Sequence, residues 1–263
     1  MLFDSPMPFR EAIESLLARD LLPTNMSSAE LRGLGKSILD RSLFSARNHY
    51  TEILDQLKNE LQTLLNPVTA VRPDGTPYTS GTDVASVRLR LRRSLEGLGY
   101  QAPEGKKGTI EDLASEPRLN LVIKTNQQIA QGYGYARQGQ NADVLDEWPG
   151  QELVRLEERV VPRDDWDERW RAACQQAGDT LALGIYRDTG RMVARKDSGV
   201  WQALGDGAGG FDDTLGSPYE PFAFGSGMGT VDIDRAESVE LGLIGEDEQV
   251  KAIPLNYALE VSE

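Results

Sequence analysis

The side chains best placed in sequence to do chemistry are carboxylates. Asp206, Asp212, Asp213 and Glu220 fall within fifteen residues, in the glycine-rich stretch GDGAGGFDDTLGSPYE. Oxygen ligands at such spacing can bind calcium or magnesium, and would then serve a metal-dependent hydrolase or transferase using the loop 206–220. The stretch lacks the twelve-residue loop with its fixed glycine and terminal glutamate, so a solvated acidic loop is the expectation. Asp232 and Asp234, in VDIDRAE, would point to one side of a strand and could do acid–base work, but no nucleophile is paired with them. Residues 205–210, GDGAGG, have neither a following lysine nor a helix start and so do not make a phosphate loop. The single cysteine, Cys174, excludes an internal disulfide framework. With one histidine, His49, the chain also lacks the soft ligands of a structural zinc site. Cys174, in WDERWRAAC, reads as a small half-buried thiol, and His49, in ARNHY, as equally inert. The expectation is a protein that is not an enzyme, with no catalytic residue, cofactor or metal assigned.

Composition sets the frame for those groups. The 263 residues are 39% hydrophobic and 27% charged, with a net charge of −14. The charge is uneven: residues 81–140 hold 9 Lys and Arg against 6 Asp and Glu, whereas residues 141–263 hold 11 against 26. The second half would be repelled by phosphate, so no specific nucleic-acid binding is expected. Arg88, Arg90, Arg92 and Arg93 form a local basic cluster, readable as the solvated face of a helix or as a phosphate-binding strip. No run approaches the roughly 20 apolar residues of a membrane span. The opening MLFDSPMPFREAIESLL carries acids early and no basic-then-apolar leader, so no secretory signal is expected; from Pro8 it reads as a short amphipathic helix.

The elements that must carry these groups divide at about residue 140. Ser27 and Glu30 have capping-box spacing, in which each side chain meets the other residue's free backbone N–H. Leu31, Leu34, Ile38 and Phe44, then Ile53, Leu57, Leu61 and Leu64, keep a helical period until Asn66-Pro67. Residues 31–65 therefore read as one long amphipathic helix, or as two with a break near 44–48. A single helix of about 35 residues would be about 50 Å long, an arm suited to packing between subunits. Residues 67–82, PVTAVRPDGTPYTSGT, read as a hinge loop. Val84, Val87, Leu91, Leu95 and Leu98 resume the helix, capped by Thr82 or Asp83 and ended by Gly97 and Gly99; Thr109 and Asp112 mark another N-cap.

In the next helical run, LNLVIKTNQQIAQGYGYAR, the residues Leu119, Val122, Ile123, Ile129, Tyr133 and Ala136 share a face, and Asn126 falls on it. A buried, unbonded amide costs roughly 1–3 kcal/mol. Asn126 is thus either bonded by the surrounding fold, tying this helix to the half that follows, or set at the rim of the stripe in water. Beyond residue 140, Trp148, Val154, Val160 and Val161 suggest an extended edge before Pro162, and Trp166 and Trp170 lie four apart on a short helix. From Gly178 onward the bursts LALGIY, RMVA, VWQAL, VELGLI and VKAIPL read as short strands and turns.

At LVIKTNQQIAQGYGYARQGQ the chain resembles the phage Mu F-like minor head (head morphogenesis) proteins, through Lys124, Thr125, Asn126, Ala130 and Gly134 or Gly139. The resemblance continues in order through Arg159, Val160, Val161, Pro162, Arg163 and Asp164, then Gly190, Val193 and Asp197. It closes on SPYEPFAFGSGM at residues 217–228, and spans about residues 116–230. This closing segment has no cysteine or histidine, so a metal or disulfide role held elsewhere in the family cannot apply here.

The resemblance implies a structural virion protein of a tailed bacteriophage, assembled in the bacterial cytoplasm with portal and/or capsid proteins. It would act in portal-proximal head assembly, as a homo-oligomer in the virion. A head–tail connector of the neck is the alternative within that class. The expected fold is α+β: a helical N-terminal half with a long amphipathic arm, then a small β-rich, loop-rich part. The expected domains are 1–66 (arm), 67–82 (hinge), 83–230 (head morphogenesis domain) and 231–263 (extension). Asn126, Thr125, Tyr133, Arg88, Arg92, Phe222 and Phe224 are the candidate structural or partner residues. Phe222 and Phe224 read either as exposed aromatics anchoring in a partner pocket or as a plug closing the domain's own core.

Overall fold

A computed structural model describes residues 9–34, 38, 41–66, 68–80, 83–157 and 163–255. The fold is α+β. Its described residues group into two compact units, one running to Gly33 and from Arg41 to Gly134, the other from Tyr135 onward together with Leu34 and Ile38. This division falls inside a helix instead of at the expected boundaries near 66, 82 and 230. Pro8, Pro67, Thr82 and the segment Arg159, Val160, Val161 and Pro162 lie outside the described residues.

In the first unit, α1 (Arg10–Ala18) buries Ala12, Ser15 and Leu16. Strand β1 (Asp20–Leu22) pairs in parallel with β2 (Ser42–Phe44). Between them α2 (Ser28–Arg32) starts with the expected capping box: Ser27 N–H donates to Glu30 Oε2 at 2.7 Å and Glu30 N–H to Ser27 Oγ at 3.3 Å. The apolar period of residues 31–65 is therefore not one arm. Helix α2 ends at its Gly33 C-cap, β2 intervenes, and α3 (Thr51–Leu65) begins after a turn in which Arg47 adopts φ 57°. Leu43, Ile53, Leu57 and Leu61 bury themselves in this unit's own core, alongside Leu91, Leu95 and Ile123. That burial supplies the stabilisation a free arm would have needed from a partner. The hinge stretch carries an antiparallel hairpin, β3 (Val68–Val71) with β4 (Pro77–Ser80). Its turn has Gly75 at φ 85°, where a side chain would be strained. Asp83 caps α4 (Val84–Gly97) by accepting from Ser86 N–H at 2.8 Å. Helix α5 (Glu116–Gly139) follows.

The second unit is built round a three-stranded antiparallel sheet. Strand β5 (Gly150–Arg155) lies between β6 (Val193–Arg195) and β7 (Met228–Ile233). Helix α6 (Ala142–Glu147) precedes the sheet, and α7 (Trp166–Ala177), α8 (Thr180–Thr189), α9 (Val200–Asp206) and α10 (Arg235–Glu240) surround it. One cluster gathers Leu153 and Met228 with Trp166, Trp170, Trp201 and Phe222; another gathers Val193 and Ile233 with Ile185 and Leu243. Alternation along each strand puts these two sets on opposite faces. Gly150 leaves room for Leu243 against the strand, since a Cβ there would meet Leu243 Cδ2 at 2.7 Å.

The strand reading from Gly178 onward needs correction. LALGIY lies in α8 and VWQAL in α9, while RMVA does contribute β6. Helix α8 forms because Asp179 accepts from Ala182 N–H at 2.9 Å and Gly190 ends the helix in the left-handed region. Among the described residues no helix is long and apolar enough to cross a membrane.

Candidate functional site

The densest polar arrangement lies where the acidic loop meets α7. Trp166 and Trp170, one turn apart, both turn inward, and Trp170 packs edge-on against Trp201 at 5.5 Å between ring centres. That places Arg169 at the loop, where its guanidinium lies 4.0 Å from the Phe211 ring centre and 5.2 Å from that of Trp166. Arg169 Nη1 donates to Asp213 Oδ1 at 2.9 Å and Nη2 to Asp165 Oδ2 at 2.8 Å. Arg163 completes the clasp, with Nη1 on Asp213 Oδ2 and Nη2 donating to Phe224 O at 2.7 Å.

Asp213 thus accepts from two guanidinium groups. Burial works to raise its pKa, but Arg169 and Arg163 outweigh it and hold the carboxyl below the usual value. Burial likewise opposes the charge on Arg169, yet Asp165 and Asp213 raise it. The two guanidinium groups neutralise this carboxylate and would repel a divalent cation from it. Among the described residues no group of three or more His, Cys, Asp or Glu is placed to hold a metal ion.

Seven residues on, Glu220 has the opposite surroundings. It accepts one hydrogen bond, from Thr230 N–H at 2.7 Å, and no cation pairs with it among the described residues. Burial raises its pKa, and the Thr230 N–H only partly offsets this. Asp206 is exposed and accepts from Gln202 Nε2 at 2.9 Å. The pair on the strand side is split: Asp232 pairs with the buried Lys196 at 2.8 Å, and Asp234 caps α10. The stretch 205–210 is fixed by backbone crowding, since a Cβ on Gly205 would overlap Ser217 O. Cys174 is fully buried rather than half-buried, and burial pushes its thiol up to about 12, well removed from a reactive thiolate.

Comparisons of the chain with protein-family models, with curated proteins and with solved structures found no match. The placement of each side chain therefore carries the functional reading.

Phe222 is fully buried at φ 56° and stacks on Trp201 at 6.0 Å, so it plugs its own unit and is not an exposed anchor. Phe224 is half-buried, held through its backbone by Arg163 and by its own N–H donating to Asp213 O at 2.9 Å. In the first unit, Asn126 is buried, and its Nδ2 donates to Val122 O at 2.9 Å, one turn back on its own helix. This bond replaces the expected tie to the following half. Tyr133 is buried, and Thr125 is half-buried on the flank of the same helix.

Arg88 Nη1 pairs with Glu116 Oε1 and donates to Asn120 Oδ1, each at 2.9 Å, and Arg92 Nε donates to Ala114 O at 2.9 Å. Arg90 makes a two-pronged pair with Glu60 at 2.5 and 2.6 Å. The basic cluster is accordingly taken up largely in packing: Arg88 and Arg90 fasten α4 to α5 and α3, and Arg92 holds the loop that leads into α5. Arg93 alone of the four is exposed. Sequence reasoning passed over Arg169. The signal available was an acid–arginine pair four residues apart, interleaved with the Trp166–Trp170 pair.

Proposed function

We propose that this protein is a structural virion protein of a tailed bacteriophage, a minor head protein acting in portal-proximal head assembly through protein–protein surfaces. Its partners on this reading are portal and/or capsid subunits, with further copies of itself in the particle, and its assembly takes place in the bacterial cytoplasm. One observation supports the reading: the later segments that resemble the Mu F-like proteins, from Arg163 onward, are ones with which the second unit holds itself together. Arg163 clasps Asp213 and the Phe224 carbonyl. Gly190 ends α8, Val193 is buried in the sheet, and Asp197 accepts from Arg195 Nε and Nη2, each at 2.8 Å. Residues whose polar groups are taken up in building a scaffold leave the outer surface to do the work. Divalent-cation chemistry on the loop 206–220 has less support, because Asp213, at its centre, is met by two arginines.

An epitope-tagged copy, expressed in a culture producing the phage, tests this. Heads purified on a density gradient are expected to carry the tag at far fewer copies than the major capsid protein. A stop codon early in the gene is expected to lower the titre by several orders of magnitude. Particles free of the tag together with an unchanged titre would overturn the proposal.

A further inference from the structure

Strand β7 is an edge strand, and its outer N–H groups are held by side chains of the segment that leads into it. Met228 N–H donates to Ser226 Oγ at 3.1 Å and Thr230 N–H to Glu220 Oε2 at 2.7 Å. Among the described residues no strand pairs along this side. Glu220 and Leu156 converge over Gly229, where a Cβ would overlap both. Two positions along the same face comes Val231. Leu156 and Val231 are large apolar side chains left 57% and 39% exposed. On the face of Gly229 and Val231 the acids outnumber the cations: Glu220 has no cation among the described residues, and Glu152, opposite Val231, shares Arg191 with Glu237. The exposed Arg155, opposite Met228, belongs to the other face.

We propose that the outer edge of β7 is the docking site for an extended segment of a partner protein, one carrying lysine or arginine beside apolar residues. In the free protein Glu220 occupies the edge, which keeps it from pairing indiscriminately. On docking, a carbonyl of the incoming strand takes the Thr230 N–H, and the released Glu220 carboxylate meets a basic side chain of that strand. Leu156 and Val231 receive the alternate apolar side chains. This deepens the assembly reading and rests on it for the partner's origin, though not for the binding chemistry.

The probe is a fluorescein-labelled heptapeptide of alternating lysine and valine, followed by anisotropy with the full chain, beside a glutamate–valine counterpart. The basic peptide is expected to bind, weakening with salt, and to slow hydrogen exchange at Thr230 and Asp232. Glu220→Gln is expected to weaken it at least fivefold, and Leu156→Lys or Val231→Lys about tenfold. Glu147→Gln, an exposed acid on α6, is expected to change nothing.

Equal binding of the acidic peptide would overturn the proposal. So would edge variants that bind as the native chain does, or a Glu147→Gln effect as large as that of Glu220→Gln. Incorporation into heads separates the two readings. Edge variants that lose peptide binding yet enter particles normally would retire this docking site and leave the virion assignment standing. A native chain absent from particles would remove the assignment whatever the peptides show.

Discussion

Asp213 and Glu220 belong to one segment, seven residues apart, and the two places they occupy are opposites. At the Asp213 end the carboxylate is enclosed with two arginines and two aromatic rings beside one of them, and its charge is welcome. At the Glu220 end the carboxylate lies over a glycine, against a leucine, with a single backbone N–H, and its charge is costly. The same residue chemistry thus gives a fastening in one place and a poised group in the other. Counter-charge decides between them, more than burial does, since burial acts to raise the pKa of both.

The largest effect is expected at Asp213. Asp213→Ala would leave the Arg163 and Arg169 guanidinium groups without their shared carboxylate, and removing one partner of an enclosed ion pair costs about 3–5 kcal/mol. All four tryptophans, Trp148, Trp166, Trp170 and Trp201, lie in the second unit, so tryptophan fluorescence melts report that unit alone. A loss under about 1 kcal/mol would show the clasp to be ornamental. Arg163→Met is expected to cost less, about 1–2 kcal/mol, because Arg169 remains on Asp213 while the Phe224 carbonyl loses its donor. Hydrogen exchange at residues 222–226 should rise in that variant, and unchanged protection there would count against Arg163 as the tie.

The pH dependence has a definite sign at this end. The folded carboxyl of Asp213 is held below its unfolded value of about 3.9. Its contribution is therefore present above that pH and is lost as the pH falls through the folded value. Asp213→Asn should flatten the acid limb of the fluorescence melt below about pH 4. An acid limb identical to that of the native chain would refute the assignment.

What was legible in the sequence follows from how local each signal was. The capping box at Ser27, the helix after Asp83 and the Trp166–Trp170 pair were all readable, because each depends on neighbours within four residues, whereas the stop at Gly33 inside the run 31–65 was passed over. Of the two readings of residues 31–65, the single arm fails and the interruption near 44–48 is present, because an apolar period says that a face is covered without saying by what. The cover turned out to be α1, α4 and α5 of the same unit. LALGIY was misread since six apolar residues suit a strand or a helix equally, and its Asp179 cap and Gly190 stop are what decide it. The clasp was invisible for another reason: Arg163 and Asp213 are fifty residues apart, and no local pattern joins them. The basic cluster misled similarly, since Arg90 and Glu60 are thirty apart.

The smallest expected effect is the one with the opposite sign. Glu220→Gln keeps an oxygen to accept the Thr230 N–H while removing a charge that burial disfavours, so it should stabilise the second unit at neutral pH by roughly 0.5–1 kcal/mol. The native carboxyl has its folded pKa raised above the unfolded value of about 4.3. Its stabilising contribution is thus fully present below that pH, where the group is protonated in both states, and is lost as pH rises through the folded value. The native and Glu220→Gln proteins should accordingly melt together near pH 4 and separate above it, with the variant higher. Destabilisation by Glu220→Gln at pH 7 would mean that the carboxylate has a cation after all. Glu220 would then be a second fastening like Asp213, and the edge of β7 would lose its poised group.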